Sequence, residues 1–406
     1  MGQPLHTKEV ARGFIFDRSE LAGSLGDVGI LFPIALALIR LNGLNPTSVF
    51  LSAGLLYIGA GLYYRLPLPV QPLKAVSAIA IALSLAPSTI AAAGIMMGIL
   101  LLLLGVTDLA STLARFFTKP IIRGIQLGIG IILVRTAINL MGKPWGGASP
   151  SVDQTASLSG TGYLIGVGSF VLILALTGNR RFPASLVVLS CGALVGLALT
   201  PTPWPAFSLG PVWPDLALPS THDFALALTA LVIPQIPLTF GNAIVATADL
   251  ARTYFGERGE RVTPSRLAGG MGLANLFAGL IAGLPVCHGS GGFTAHYKFG
   301  ARTGGAPIMI GLGCCLLAVA FGATAIWIIS LIPLAVFGAF LLFVGLEHCL
   351  LVADLRGRDE FLVALTTASV SIATGNLTIG YAAGFLMQSF GKRGSYPGGP
   401  GEIPSL

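Results

Sequence analysis

The sequence predicts an all-α polytopic membrane protein of about fourteen transmembrane segments in two inverted seven-segment repeats. Three observations carry this expectation. The 406-residue chain is 54% hydrophobic and only 10% charged, against about 25% charged residues in soluble domains, and its mean hydropathy is +0.84. Apolar stretches recur along the chain between short polar or proline-bearing breaks. One pattern also occurs twice. Leu68-Pro69-Val70 returns as Leu284-Pro285-Val286 at an offset of 216 (284 − 68), and Leu25-Gly26-Asp27-Val28 is echoed by Phe240-Gly241-Asn242-Ala243 at 215 (240 − 25). Matching interruptions in two halves mark a transporter built from repeats, and an odd number of segments in each half inverts the second.

The segments follow in order. Leu21 to Ile39 and Pro46 to Tyr64 are the first two. The third, Leu73 to Leu85 after Pro72, would be about 20 Å long, too short for a hydrocarbon core of about 30 Å. Thr89 to Leu109 and Pro120 to Leu140 are the fourth and fifth. A polar loop from Gly142 to Gly160 precedes the sixth, Tyr163 to Thr177, and Pro183 to Leu199 is the seventh. The proline-rich stretch Thr200 to Ser220 reads as a linker. The first repeat is therefore placed at 1–199, the linker at 200–220 and the second repeat at 221–406.

The eighth segment, Phe224 to Ala248, is interrupted by Pro234 and Pro237. Pro264 to Ala282 is the ninth. The tenth is a second short helix, beginning after Gly292, because the glycines of Cys287-His288-Gly289-Ser290-Gly291-Gly292 disfavour helix. A short extended strand is expected before each short helix. Pro307 to Ile328, Pro333 to Val352, Phe361 to Thr374 and Thr378 to Phe390 complete the fourteen. Irregular backbone at membrane depth survives only where it is buried in protein or lines a cavity.

With the N-terminus inside, all of the 23 basic residues except Arg40, Lys74, Arg135 and Lys143 fall on the cytoplasmic side, as the positive-inside rule requires. The formal charge of +7 therefore reports topology, and a nucleic-acid partner is not expected. The first 20 residues lack an apolar h-region, so no cleavable signal peptide is expected. Cys191, Cys287, Cys314, Cys315 and Cys349 show no spacing for a metal or disulfide framework.

Free N–H groups at the start of a short helix, in an apolar setting, make an anion site. Lys74 would stand at mid-depth in the first turn of the third segment, where a charge is costly and marks function. It reads as a substrate contact, as an ion-pair partner of Asp27, or as both. Asp27 reads as that partner or as a proton carrier. Gln235, Thr239 and Asn242 share one helical face, as oxyanion donors or as interhelical hydrogen bonds. His288, Ser290 and the N–H groups of Gly289, Gly291 and Gly292 are further candidate donors. His296, Lys298 and Arg302 read as the cytoplasmic end of the tenth helix, and Glu347-His348 as the solvated end of the twelfth. Asp108 and Asp249 read as ends of the fourth and eighth. Cys287 beside His288 has no acid or third partner nearby in sequence, so an enzyme is not expected.

The stretches Gly23 to Pro33 (GSLGDVGILFP), Pro69 to Ala80 (PVQPLKAVSAIA), Pro234 to Ala246 (PQIPLTFGNAIVA) and Leu284 to Gly305 (LPVCHGSGGFTAHYKFGARTGG) resemble the molybdate transporter family related to the sulfate permeases. The resemblance covers nearly the whole chain. It implies a uracil-permease-like fold, with a core domain from segments 1–4 and 8–11 and a gate domain from segments 5–7 and 12–14. Substrate would sit between the third and tenth segments, at Gln71, Leu73, Lys74, Ala75, His288, Gly289, Ser290, Gly291 and Gly292, flanked by Gln235, Thr239, Asn242 and Asp27. The implied function is secondary transport of molybdate by alternating access, with a proton as a candidate coupling ion. Sulfate or another tetrahedral oxyanion is the alternative, then a nucleobase. A nucleobase permease would be expected to place a carboxylate on the eighth or tenth segment, where the aligned positions here hold Gln235, Thr239, Asn242 and Ser290 and no acid. No cofactor or metal is expected. A homodimer in the lipid bilayer is expected, with both termini cytoplasmic, in the plasma or inner membrane. Only 16 residues (406 − 390) follow Phe390, so the C-terminal cytoplasmic domain of the wider sulfate permeases is not expected.

Overall fold

A computed structural model of the chain describes residues 14–142, 160–177, 179, 182–199, 209–214, 218–322 and 324–394. Lys8, Arg12, Lys143, Arg180, Arg181, the loop 143–159 and most of the expected linker lie outside the described residues.

The chain is built almost wholly from helices. Helix α1 (Arg18–Ser24) runs through a tight turn at Leu25–Asp27 into α2 (Val28–Asn42), and α3 (Pro46–Tyr64) follows. Gly43 closes α2 at φ 75°, a left-handed position that glycine takes without strain. Pro46 opens α3, and the Asn45 side chain accepts from Ser48 N. Strand β1 (Gln71–Pro72) leads into α4 (Lys74–Ala82). Next come α5 (Pro87–Val106), the short α6 (Leu109–Ala114), α7 (Lys119–Gly142), α8 (Gly160–Leu176) and α9 (Ala184–Leu199).

The second part opens with a bent segment: α10 (Thr221–Leu226), a π-turn at Ala227–Val232, α11 (Ile233–Leu238), a second π-turn at Thr239–Ala246, and α12 (Thr247–Phe255). It bends by 42° around Pro234 and Pro237, which remove helical donors. Then come α13 (Pro264–Leu280), β2 (Val286–Cys287), α14 (Ser290–Lys298), α15 (Gly305–Leu316), α16 (Thr324–Ser330), α17 (Leu334–Cys349), α18 (Arg358–Thr374) and α19 (Leu377–Gly394).

Two boundaries correct the sequence reading. Helix α14 starts at Ser290, so Ser290, Gly291 and Gly292 are helical and only Gly289 and the residues before it are extended. The eleventh segment is not continuous. Gly322, at φ 39°, ends its first part, with Gly322 N bonded to Leu317 O.

Among the described residues, five helices are long and apolar enough to cross a membrane alone: Arg18–Asn42, Pro46–Tyr64, Pro87–Val106, Lys119–Gly142 and Leu334–Asp354. The bent Thr221–Arg261 segment would make a sixth. The apolar helices Gly160–Leu176 and Ala184–Leu199 are only about 25 Å long, under the hydrocarbon thickness. The chain is an integral, multi-pass membrane protein.

Helices far apart in sequence form the closest pairs: α3 with α15, α5 with α13, α7 with α17. Glycines set these contacts. A Cβ on Gly54 would meet Gly311 O at 2.7 Å, and one on Gly130 would meet Gly345 O at 2.8 Å. Small residues at such crossings let backbones approach where lipid offers no hydrophobic drive.

The two strands pair antiparallel, Gln71 with Cys287 and Pro72 with Val286. Leu73 N donates to Pro285 O at 2.9 Å. Buried Asn275 holds β2 from behind, accepting from Val286 N (2.8 Å) and donating to Val286 O (2.7 Å). Asn42 likewise holds the far end of α4, donating to Ala80 O and Leu85 O. This satisfies the irregular backbone that the fold must otherwise expose. Glu20, placed by the sequence in a polar N-terminal stretch, is instead buried. It accepts from the N–H groups of Arg302, Thr303 and Ala306 at the start of α15.

Candidate functional site

Strand pairing brings the N-terminus of α4 and the N-terminus of α14 together, each following its Pro-Val turn. Every sequence-predicted site residue lies in or beside this junction, and their roles differ.

Gln71 is fully buried. Its Nε2 donates to Asp27 Oδ1 in a short contact, and Tyr57 OH donates to Asp27 Oδ2 at 3.3 Å. The pair lies over the start of α14: a Cβ on Gly292 would collide with Gln71 Nε2 and would meet both carboxylate oxygens of Asp27 at 2.7 Å. Gly292 is therefore a packing requirement of the Asp27–Gln71 pair. The Gln71 Oε1 atom is buried without a partner.

Lys74 is placed at the first residue of α4, and its Nζ is buried with no hydrogen-bond partner. The ion pair with Asp27 offered as one reading of the sequence is not formed, because Gln71 and Tyr57 occupy the carboxylate. Lys74 still lies within electrostatic reach of Asp27, Cys287 and His348. An unpaired buried ammonium is costly, so a ligand carrying negative charge is the group that would relieve it.

Gln235 and Asn242 have neutral structural partners. Gln235 Oε1 accepts from Ala75 N (2.8 Å) and Val76 N (3.2 Å), and its Nε2 donates to Thr239 Oγ1 (2.9 Å). Asn242 Oδ1 accepts from Ser290 N (3.2 Å) and Ser290 Oγ (2.5 Å). The amide of one residue thus caps α4 and that of the other caps α14. Leu73, the residue before α4, is buried and packed in the core. Among the described residues, nothing accepts from Gly291 N–H or Gly292 N–H, and these are the free donors at the positive end of α14.

His288 has structural partners of its own. Its Nδ1 lies 2.7 Å from Pro69 O, its ring packs edge-on against Tyr64, and Thr247 Oγ1 donates to its carbonyl. It fixes the turn before β1. His296 does the same two residues earlier in that stretch, with Nδ1 2.8 Å from Pro67 O, and it is fully buried where the sequence read a cytoplasmic end.

His348 is the largest departure. Read from sequence as a solvated helix end, it has no exposed surface. Its Nε2 is 3.0 Å from Ser290 Oγ and its Nδ1 is 3.1 Å from Thr294 Oγ1. Glu347 beside it pairs with Lys298 at 2.6 Å. Arg123, read from sequence at the cytoplasmic end of the fifth segment, is also buried. Its guanidinium grips Asp354 through Nε and Nη2, and contacts Asp249 and Gln126 through Nη1. Among the described residues no cluster of three or more His, Cys, Asp or Glu side chains could hold a metal ion.

The family model described as "Molybdate transporter of MFS superfamily" matches residues 19–133 and 227–347, the two stretches that supply Asp27, Gln71, Lys74, Gln235, Asn242 and Ser290. The chain is 30% identical over 402 residues to "Molybdate transporter 2" of Arabidopsis thaliana, covering 91% of this chain and 86% of that one. The fold is shared with the transmembrane domain of the cyanobacterial bicarbonate transporter BicA, at TM-score 0.59 and 18% identity over 92% of this chain and 98% of that one. It is also shared with the murine anion transporter Slc26a9 in its inward-facing state, at TM-score 0.61 and 17% identity over 94% of this chain and 69% of that one.

Proposed function

The chain belongs to the molybdate transporter family, and on that premise we propose that it carries molybdate across its membrane, binding it between α4 and α14. It is a transporter, not an enzyme. One observation supports the binding site above the others: Lys74 Nζ, on the first residue of α4, is buried without a partner. Two helix N-termini offer about half a charge each, and here neutral caps cover part of both. A dianion therefore needs the lysine to approach balance.

In this reading the helices form fourteen segments in two inverted repeats, 1–199 and 221–406. A core of segments 1–4 and 8–11 carries the ion past a gate of segments 5–7 and 12–14 in an elevator-like alternating-access cycle. Asp27 is the proton-coupling candidate, because its carboxylate touches Gln71 of the site and Tyr57. The protein acts as a homodimer, with both termini cytoplasmic, in the plasma or inner membrane.

Sulfate is the second reading, since both ions are divalent tetrahedra and the charge argument fits either. Uptake of labelled molybdate into proteoliposomes, with and without excess sulfate, separates the two. Molybdate uptake that resists a hundredfold excess of sulfate is expected. Equal competition would assign a general oxyanion carrier, and no uptake of either ion would overturn the proposal.

A further inference from the structure

The anion reading leaves one buried polar system unused. Asn242, Ser290, His348, Thr294 and Tyr254 form a continuous chain across α14, α17 and the bent segment that ends in α12. Its hydrogens can be ordered from chemistry alone. Asn242 Oδ1 only accepts, and Ser290 N also donates to it, so the single hydroxyl hydrogen of Ser290 goes to Asn242. Ser290 Oγ must then accept at its contact with His348 Nε2, which therefore carries hydrogen. A neutral imidazole has one N–H, so Nδ1 accepts from Thr294 Oγ1. Thr294 in turn accepts from Tyr254 OH, 3.1 Å away. Neither ring nitrogen of His348 has a carboxylate partner, and Lys74 and Arg123 are its charged neighbours. A neutral ring with hydrogen on Nε2 satisfies every contact.

The spacing explains why one histidine serves two hydroxyls. Ser290, Thr294 and Lys298 follow one another at four-residue intervals on one face of α14. His348 meets the first two and Glu347 the third. Two consecutive residues of α17 thus fix the register of that whole face.

From this geometry, and resting on the reading that the start of α14 binds the anion, we infer that His348 is a positioning residue for that site. Its Nε2–H occupies the lone pair of Ser290 on the α17 side, so the Ser290 hydroxyl can only donate toward Asn242 or toward a ligand at the helix N-terminus. When an anion arrives, the hydroxyl turns from Asn242 Oδ1 to the ligand. Asn242 keeps Ser290 N–H, and His348 keeps the oxygen. Anion affinity thereby depends on the register of α17 against α14, although His348 does not touch the ligand.

The test is molybdate binding to the purified full-length protein by calorimetry. His348→Phe removes the donor and should weaken binding about tenfold, the loss of one hydrogen bond's orientation. His348→Gln, which restores an N–H near the position of Nε2, should recover most of that loss. Ser290→Ala should also weaken binding, and Ser290→Ala/His348→Phe should be little weaker than Ser290→Ala, because the histidine acts through the serine. Parent-like binding by His348→Phe, or fully multiplicative losses in the double variant, would overturn the inference. A parent that binds neither molybdate nor sulfate would instead overturn the site on which the inference rests. Where the phenylalanine variant fails to fold, ¹⁵N spectra of histidine in the parent decide the matter. His348 protonated on Nε2 supports the inference, and protonation on Nδ1 or on both nitrogens overturns it.

Discussion

Gln235 and Asn242 stand two helical turns apart on one bent segment, and each caps a different short helix. Gln235 takes the N–H groups of Ala75 and Val76, and Asn242 takes that of Ser290. Their separation along one segment therefore fixes the separation of the two helix N-termini that frame the candidate site.

Removing Gln235 should act first on stability. Gln235→Ala leaves two buried N–H groups of α4 and the Thr239 hydroxyl short of a partner, at a cost of about 1–3 kcal/mol. Gln235→Glu keeps an acceptor for α4 but adds a negative charge beside the anion. It should fold with near-parent thermal stability and bind molybdate at least about tenfold more weakly. Thermal unfolding and calorimetry on the two variants separate these effects, and equal losses of stability in both would contradict the capping role.

Lys74 should show the opposite balance. Lys74→Met removes a buried ammonium that has no partner and keeps most of the side-chain volume. The ligand-free variant should unfold at a temperature equal to or above that of the parent, because an uncompensated buried charge destabilises. Molybdate binding should fall by about tenfold or more. Parent-like affinity would remove the lysine from the site.

Arg123 and Glu347 make ion pairs of different worth. The Arg123 side chain is 3% exposed and serves both Asp249 and Asp354, so Arg123→Gln should cost about 2–4 kcal/mol by leaving carboxylates short of their donor. The Lys298 and Glu347 side chains are 35% and 21% exposed, and Glu347→Gln should cost less than about 1 kcal/mol. Denaturation of both variants at low and high salt checks the ranking, with only the Glu347 pair noticeably sensitive to salt.

Asp27 offers a test of coupling. Asp27→Asn keeps one acceptor, which can serve Gln71 Nε2, while its Nδ2 faces the Tyr57 hydroxyl oxygen, which can turn to accept, so binding should persist. If the carboxyl carries the coupled proton, uptake by the variant should lose the pH dependence of the parent. A variant with the parent's full pH profile would leave Asp27 a scaffold for Gln71.

Much of the architecture was legible because it follows from interruption. Pro72 and the extended residues up to Gly289 come before helices too short to span a bilayer, and Lys74 is conspicuous as a charge in such a stretch. What the sequence could not display were partners. Gln235 lies 160 residues from Ala75, and His348 lies 58 from Ser290. His348 follows Glu347 near the end of an apolar run, and the physical cue there favours solvent. Its burial comes from the four-residue spacing of Ser290, Thr294 and Lys298, visible in the sequence but without meaning until α17 lies against it. The burial of Arg123 was illegible for the same reason. A basic residue near a helix start reads as exposed unless its carboxylates, here Asp249 and Asp354, are known to converge. Residue types alone pointed to an anion, whereas the division of labour between capping amides and free donors was not legible.

The pairing of β1 with β2 also bears on how the protein is made. Gln71 meets Cys287, and α3, α5 and α7 meet α15, α13 and α17. Each of these four elements finds its main partner in the other half. After Gln71 leaves the ribosome, about 200 further residues must be added before β2 exists, roughly 10–40 s at ordinary rates of synthesis. Through that interval the polar edge of β1 and the ammonium of Lys74 must be kept from lipid by something other than their final neighbours. The nascent first half is therefore the stage at which this chain depends most on the insertion machinery, and at which quality control has the longest opportunity to act.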